Sequence, residues 1–276
     1  MKINDIFNIL NEYAPVELSS EFCNAINGFD NSGIIASTSE DIKGVLFTLD
    51  LTNNAVEKAI ENGCKLIVTH HPAIYKPISC LLDGDPLLNA LNNKIGVISF
   101  HLNLDVAKLG IDYQLAKGLG GENQEILIPL GDNVGYGRKF TVNSTLEEIA
   151  ERYKKEFSSS KVMVYGNLNE KVTKMATFCG AGLDEGEIDL SSDCDLLLSA
   201  DIKHHIILKA LSMGKKLIEV THYSSEFYGF NKFYKWTKEK LSIKCLILVI
   251  MKYTNIYYNS AKSCNQYIEF FTSTNY

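Results

Sequence analysis

Short apolar runs alternate along this chain with longer segments whose apolar positions recur at helical spacing. GVLFTL at 44–49 predicts a strand, and NNAVEKAIENG at 53–63 a helix stopped by Gly63. KLIVT at 65–69 predicts a strand, DPLLNALNN at 85–93 a helix and IGVISF at 95–100 a strand. DVAKLGIDYQLAKGLG at 105–120 then reads as one helix with a glycine stop. A second series follows: strands at 136–142, 161–166, 174–179, 194–200 and 215–221, with helices at 145–157, 202–214 and 225–241. CLILVIM at 245–251 suits a buried strand, and Ile3, Ile6, Phe7, Ile9 and Leu10 are spaced as in a helix. The alternation predicts an α/β fold of βαβ units around a largely parallel sheet. PLGDNVGYG at 129–137 is the one plausible boundary, too short and too apolar for a flexible linker. It divides the chain into lobes at 1–129 and 130–276, with the tail 252–276 left unassigned.

One pattern recurs inside the chain. AIENGCKLIVTH at 59–70 and ALSMGKKLIEVTH at 210–222 share Ala, a glycine, a Lys-Leu-Ile strand and a closing Thr-His, with one residue inserted in the second copy. In open α/β sheets ligands gather beyond the carboxyl ends of strands. Three predicted strand ends carry metal-ligating residue types: His70 and His71, then His101 and Asp105, then His222 and Glu226. Imidazole nitrogen and carboxylate oxygen suit zinc, iron or manganese. Adjacent histidines at a bend do not readily chelate one ion, but each can hold one of two neighbouring ions. Two ions so close need a bridging carboxylate. His222 and Glu226 share a face if a helix starts there. Pro72 takes the chain out of strand pairing beyond His71.

Plainer roles exist for the same residues. Asp105 fits the N-cap of the following helix, and Glu226 complements the positive end of its own. His204 and His205, adjacent within a predicted helix, are a rival pair: one reads as packing, the other as near the site or in a subunit contact. Asp201 reads as a residue that supports a ligand from behind. CGAGLDEGEI at 179–188 reads as a turn in preference to an anion cradle. There is no GxSxG and no serine or cysteine with a convincing base for covalent catalysis.

Composition narrows the classes. The 276 residues carry a net charge of −6 and are 46% hydrophobic, enough for a sizeable core and ordinary for a cytosolic protein. No Lys/Arg block is present, which argues against a nucleic-acid partner. No run is long enough to span a membrane, and the first residues lack the apolar core of a signal peptide. The seven cysteines include no CxxC pair and read as reduced, mostly buried thiols.

The combination of TLDLTNNAVEKAIENGCKLIVTHHPAIYKPI, HLNLDVAKLGIDYQLAKGLG, CGAG and SADIKHHIILKALSMGKKLIEVTHYSSE resembles the NIF-three-like (NGG-one-interacting-factor-three) family over roughly 1–245. Its bacterial members are labelled GTP cyclohydrolase I type two homologue. The resemblance implies two similar α/β lobes with a dinuclear metal site in the cleft between them, and a toroidal homohexamer. It implies His70, His71, Asp105, His222 and Glu226 as ligands to two divalent ions, with Glu226 as the bridge. His101 matches a position lining the site and is the candidate to move a proton. The expected function is metal-dependent hydrolysis, with GTP or a related nucleotide or heterocycle as substrate. The alternative is a metal-binding scaffold or regulatory interaction protein without turnover. If GTP is the substrate, Arg138 and Lys203 are candidates to meet its phosphates. The sequence departs from the family at GFDNSGI (28–34) for WDNVGL, at SAD (199–201) for TGD and at THY (221–223) for GHY. These changes alter the pocket wall and leave the ligand set intact.

Overall fold

The computed structural model describes residues 1–159 and 161–249. The unassigned tail 252–276, the end of the CLILVIM run and Cys264 lie outside them. The first half contains α1 (Ile3–Asn11), α2 (Glu17–Ile26), β1 (Gly33–Ala36), β2 (Gly44–Thr48), α3 (Asn53–Glu61), β3 (Leu66–Thr69), α4 (Pro86–Asn92), β4 (Gly96–Ser99), α5 (Leu102–Val106) and α6 (Ile111–Gly118). The second contains β5 (Glu125–Gly131), β6 (Val134–Thr145), α7 (Leu146–Glu156), β7 (Val162–Tyr165), β8 (Lys171–Thr177), α8 (Glu185–Leu190), β9 (Leu196–Ala200), α9 (His204–Ser212), β10 (Lys216–Val220), α10 (His222–Lys240) and β11 (Lys244–Ile247).

These strands form two sheets, ordered β1-β4-β3-β2-β11 and β5-β6-β8-β9-β10-β7. In the first, β4, β3, β2 and β11 run parallel and only β1 is antiparallel, as the alternation predicts. The second is mixed: β8, β9 and β10 are parallel, while β5, β6 and β7 pair antiparallel. The stretch 129–137, read as a boundary, holds the end of β5, the turn of the hairpin at 132–133 and the start of β6, with Asn133 in the left-handed region. The helix expected at 105–120 is two helices. A Cβ at Gly110 would collide with the carbonyl oxygen of Leu104, so the chain folds tightly between α5 and α6.

The internal echo is structural. α3 and α9 are each followed by a glycine at positive φ, Gly63 and Gly214, and then by a strand in the parallel part of its sheet. Lys215, which stands where the first copy has Cys64, is buried, and its Nζ donates to the carbonyls of Ser191, Ser192 and Cys194.

One apolar core runs through both halves, and a smaller one lies under α3 and α4. α10 touches both sheets: Phe47 of β2 meets Phe230, Phe233 and Tyr234, and the helix also contacts β9 and β11. Gly229 lets α10 approach α6 closely, since a Cβ there would stand 2.6 Å from Ile111 Cα. No helix among the described residues is long and apolar enough to cross a membrane. Of the described cysteines, Cys64, Cys179, Cys194 and Cys245 are buried, Cys23 is half-buried and Cys80 is exposed.

Candidate metal centre

Strands β2, β3 and β4 of the first sheet and β8, β9 and β10 of the second deliver their carboxyl ends to one place. From the first sheet, β2 leads to Asp50, β3 to His70 and His71, and β4 to His101 and the short α5 that carries Asp105. From the second, β8 leads to Cys179 and Gly180, β9 to Asp201, and β10 to α10 with His222 and Glu226. Thr221 caps α10 by accepting the Ser224 N–H, which makes His222 the first residue of the helix. The helix therefore begins three residues earlier than the apolar pattern predicts, and His222 and Glu226 lie one turn apart on one face.

Four imidazoles converge. Ring centroids lie 4.9 Å apart for His70–His71, 5.2 Å for His70–His101 and 5.3 Å for His71–His222. In each, Nδ1 is tied back 2.7–2.8 Å to an oxygen that can only accept: Phe100 carbonyl for His70, Asp50 for His71, Asp30 for His101 and Asp201 for His222. In the neutral imidazole Nδ1 therefore carries the proton, and the Nε2 lone pair faces the cluster. Asp201 holds its place with φ at +47°, a left-handed conformation that costs energy for a residue with a Cβ. Ser19 and Ser32 donate to Asp30 and fix it in turn.

Two carboxylates enter among the imidazoles. Glu226 Oε1 lies 2.8 Å from His222 Nε2 and 3.6 Å from His70 Nε2. Its Oε2 is 3.1 Å from His71 Nε2 without the alignment of a hydrogen bond. Asp105 Oδ1 is 3.6 Å from His70 Nε2. Gly180 makes room for Glu226: at φ +58°, a Cβ there would stand 2.7 Å from Oε1 and 3.3 Å from His222 Nε2. His70, Asp105 and Glu226 are buried, while the side chains of His71 and His222 keep 28% and 34% of their exposure, so the cluster opens to solvent on one side.

The charge state of this cluster follows from its crowding. Burial alone would lower the His71 pKa, but the Asp50 and Glu226 carboxylates outweigh it and raise it to about 10. His222 behaves alike, pushed up to about 9 by Glu226 and Asp201 against burial. Burial holds the His70 pKa down. Burial and the Glu226 charge push Asp105 up, whereas the surrounding imidazoles hold Glu226 well below the usual carboxylate range despite its burial.

The residues fit a metal. Among the described residues, His70 Nε2 and Glu226 Oε2 are buried with no hydrogen-bond partner, which is costly unless something else meets them. Two overlapping groups have ligand atoms within 4.8 Å of one another, His70–His71–His101 and His71–His222–Glu226. The nitrogen and oxygen donors suit zinc, iron or manganese.

The structure brings all six sequence-derived site residues together, and it changes several minor roles. Asp105 is not an N-cap: it lies within α5, buried, and the cap of α6 is Gly110. His204 and His205 are both exposed at the start of α9, so neither packs in the core. Arg138 is buried against Asp112 and donates to Gly135, and exposed Lys203 pairs with Asp184. The buried pair with Asp112 takes up Arg138. Among the described residues, every ion pair of Asp30, Asp50, Asp105, Asp201 and Glu226 is with a histidine. Sequence reasoning passed over Asp30, Asp50 and Cys179. Asp50 stands just past a strand end, and the rule that found the histidines applies to it equally.

The model of the family Duf34/NIF3 (NGG1p interacting factor 3) matches residues 1–255. A Clostridium perfringens protein named GTP cyclohydrolase 1 type 2 homolog is 32% identical over 251 residues, covering 87% of this chain and 93% of that protein. A Staphylococcus aureus hypothetical protein of solved structure superposes with a TM-score of 0.78 at 26% identity, covering 92% of this chain and 99% of its own. A Bacillus cereus protein related to NIF3 superposes with a TM-score of 0.79 at 18% identity, over 92% of this chain and 98% of its own, and shares the fold. The chain belongs to the Duf34/NIF3 (NGG1p interacting factor 3) family.

Proposed function

We propose that this protein is a metal-dependent hydrolase whose centre takes two divalent ions and acts on a nucleotide or a related heterocycle. The observation that carries the reading is a pair of buried atoms, His70 Nε2 and Glu226 Oε2, that make no hydrogen bond among the described residues and lie among imidazoles whose Nδ1 atoms are all tied back. His70, His71, Asp105, His222 and Glu226 would hold the ions. Bound there, zinc, iron or manganese would supply Lewis-acid activation of water and of the bond it attacks. The chain itself positions groups and moves protons. Asp30 holds His101 with its proton on Nδ1, so Nε2 is the atom free to accept a proton from water and return it to a leaving group. The tied-back imidazoles keep the donor set in place before substrate arrives.

The relatives' name points to GTP. Arg138 is buried against Asp112, which leaves exposed Lys203 as the candidate of the two to meet a phosphate. The same observation favours a second reading, a metal-binding scaffold without turnover. The assembly we propose is a toroidal homohexamer, which sedimentation of the full chain would test. Metal analysis of purified protein should give two ions per chain, and GTP or cyclic amides should be hydrolysed by it. Glu226→Gln should abolish that turnover and weaken metal binding. Two bound ions with no substrate turned over would leave the scaffold reading, and no bound ion would end both.

A further inference from the structure

Asp105 lacks the support the histidines enjoy. Among the described residues, the one hydrogen bond its carboxylate accepts comes from the buried thiol of Cys179, with Sγ 3.4 Å from Oδ1. Asp105 sits on the five-residue α5 of the first half, whereas Cys179 belongs to the turn that follows β8 in the second.

That turn is held from several sides. The Cys179 N–H donates to Asp112 Oδ1 at 3.3 Å, and Asp112 is paired to buried Arg138 at 3.2 Å. The Cys179 carbonyl accepts the Tyr136 hydroxyl. The Gly180 N–H donates to Ser225 Oγ at 3.0 Å, and the Gly180 carbonyl accepts the Ala200 N–H and the Ser199 hydroxyl. A turn clamped this way sets the thiol's position, and the thiol in turn selects which way the Asp105 carboxylate faces. The same turn offers the bare Cα of Gly180 to Glu226.

We infer that Cys179 is a positioning residue for the metal centre: its thiol, fixed by the clamped turn after β8, holds Asp105 in the orientation that ligates an ion. This rests on the reading of the cluster as a metal site. Supporting partners of ligands typically govern metal affinity by about tenfold to a hundredfold.

The test uses the full chain, stripped of metal and titrated with Co²⁺, followed by calorimetry and by the visible d–d absorption that reports coordination. Cys179→Ala should weaken one binding step by about tenfold to a hundredfold and change the absorption. Cys179→Ser, which keeps a donor, should restore affinity to within about threefold and recover the spectrum. Thermal unfolding of the metal-free variants reports whether each folds. If the alanine variant does not fold, the serine variant decides alone, because loss of Co²⁺ affinity at a wild-type unfolding temperature contradicts the inference. Equal losses in both folded variants would show a packing effect, and an alanine variant that binds like wild type would show no role; either overturns it. Wild-type protein that binds no Co²⁺ would instead remove the metal reading itself, and the inference with it.

Discussion

At the scale of the residue, the centre depends as much on what surrounds the donors as on the donors. Four imidazoles could point anywhere; a carbonyl and three carboxylates behind them leave one orientation for each. Gly180 is the clearest case of a residue that contributes by what it lacks. Its φ of +58° disfavours any side chain, and the space a Cβ would fill belongs to Glu226 Oε1 and His222 Nε2. Gly180→Ala should therefore destabilise the fold by about 1–2 kcal/mol from the backbone conformation alone. It should also reduce metal affinity by about tenfold or more, because Glu226 must move. Urea unfolding of the metal-free protein and calorimetric titration with Zn²⁺ separate the two effects; unchanged Zn²⁺ affinity would show that Glu226 is not held where the site needs it.

At the scale of the element, strand ends and helix starts do the placing. The parallel strands β2 to β4 and β8 to β10 were legible because buried parallel strands read as uninterrupted apolar runs, such as GVLFTL and CDLLLSA. The histidines at their ends were legible because such residues are rare and stand where an α/β sheet binds ligands. Of the antiparallel β5–β6 hairpin only the second strand was read, at 136–142, because the glycine-rich stretch before it reads equally well as a boundary. α5 escaped because five residues are too few to show a period. Asp30 and Cys179 escaped because nothing local distinguishes them: Asp30 becomes a support only when β4 brings His101 beside it, and Cys179 only when the two halves meet at Asp105. The start of α10 was misjudged for a related reason. Thr221 looks like the last residue of a strand, yet its hydroxyl accepts the Ser224 N–H and starts the helix with His222. Thr221→Ala should cost about 1 kcal/mol in chemical denaturation, the usual loss for a missing N-cap. Because the first turn of α10 carries both His222 and Glu226, the variant should also bind metal more weakly. A full loss of stability with intact metal binding would place the cap outside the site's support.

At the scale of the whole molecule, the two halves meet across a cluster in which a bound metal ion and protons would compete for the same nitrogens. In the metal-free protein His71 holds its proton to about pH 10 and His222 to about pH 9, because carboxylates from both halves need a counter-charge. An unfolded histidine titrates near ~6.5. These two groups therefore stabilise the metal-free fold fully below about pH 6.5, and that contribution is lost as pH rises towards about 9 to 10. A metal ion needs the neutral imidazole, so its affinity moves the opposite way and rises over the same window. An ion at a hundred times its dissociation constant adds about 2.7 kcal/mol to folding stability. The gap between the unfolding temperatures of Zn²⁺-loaded and metal-free protein should accordingly widen from pH 6.5 to pH 8.5 (roughly the span over which the unfolded imidazoles lose their protons and the folded ones keep theirs). Calorimetric titration in buffers of differing ionisation enthalpy should count about one to two protons released per chain on loading at neutral pH. A gap that stays constant, together with no proton release, would mean that the ions bind away from His71 and His222, and the centre would have to be sought elsewhere on the molecule.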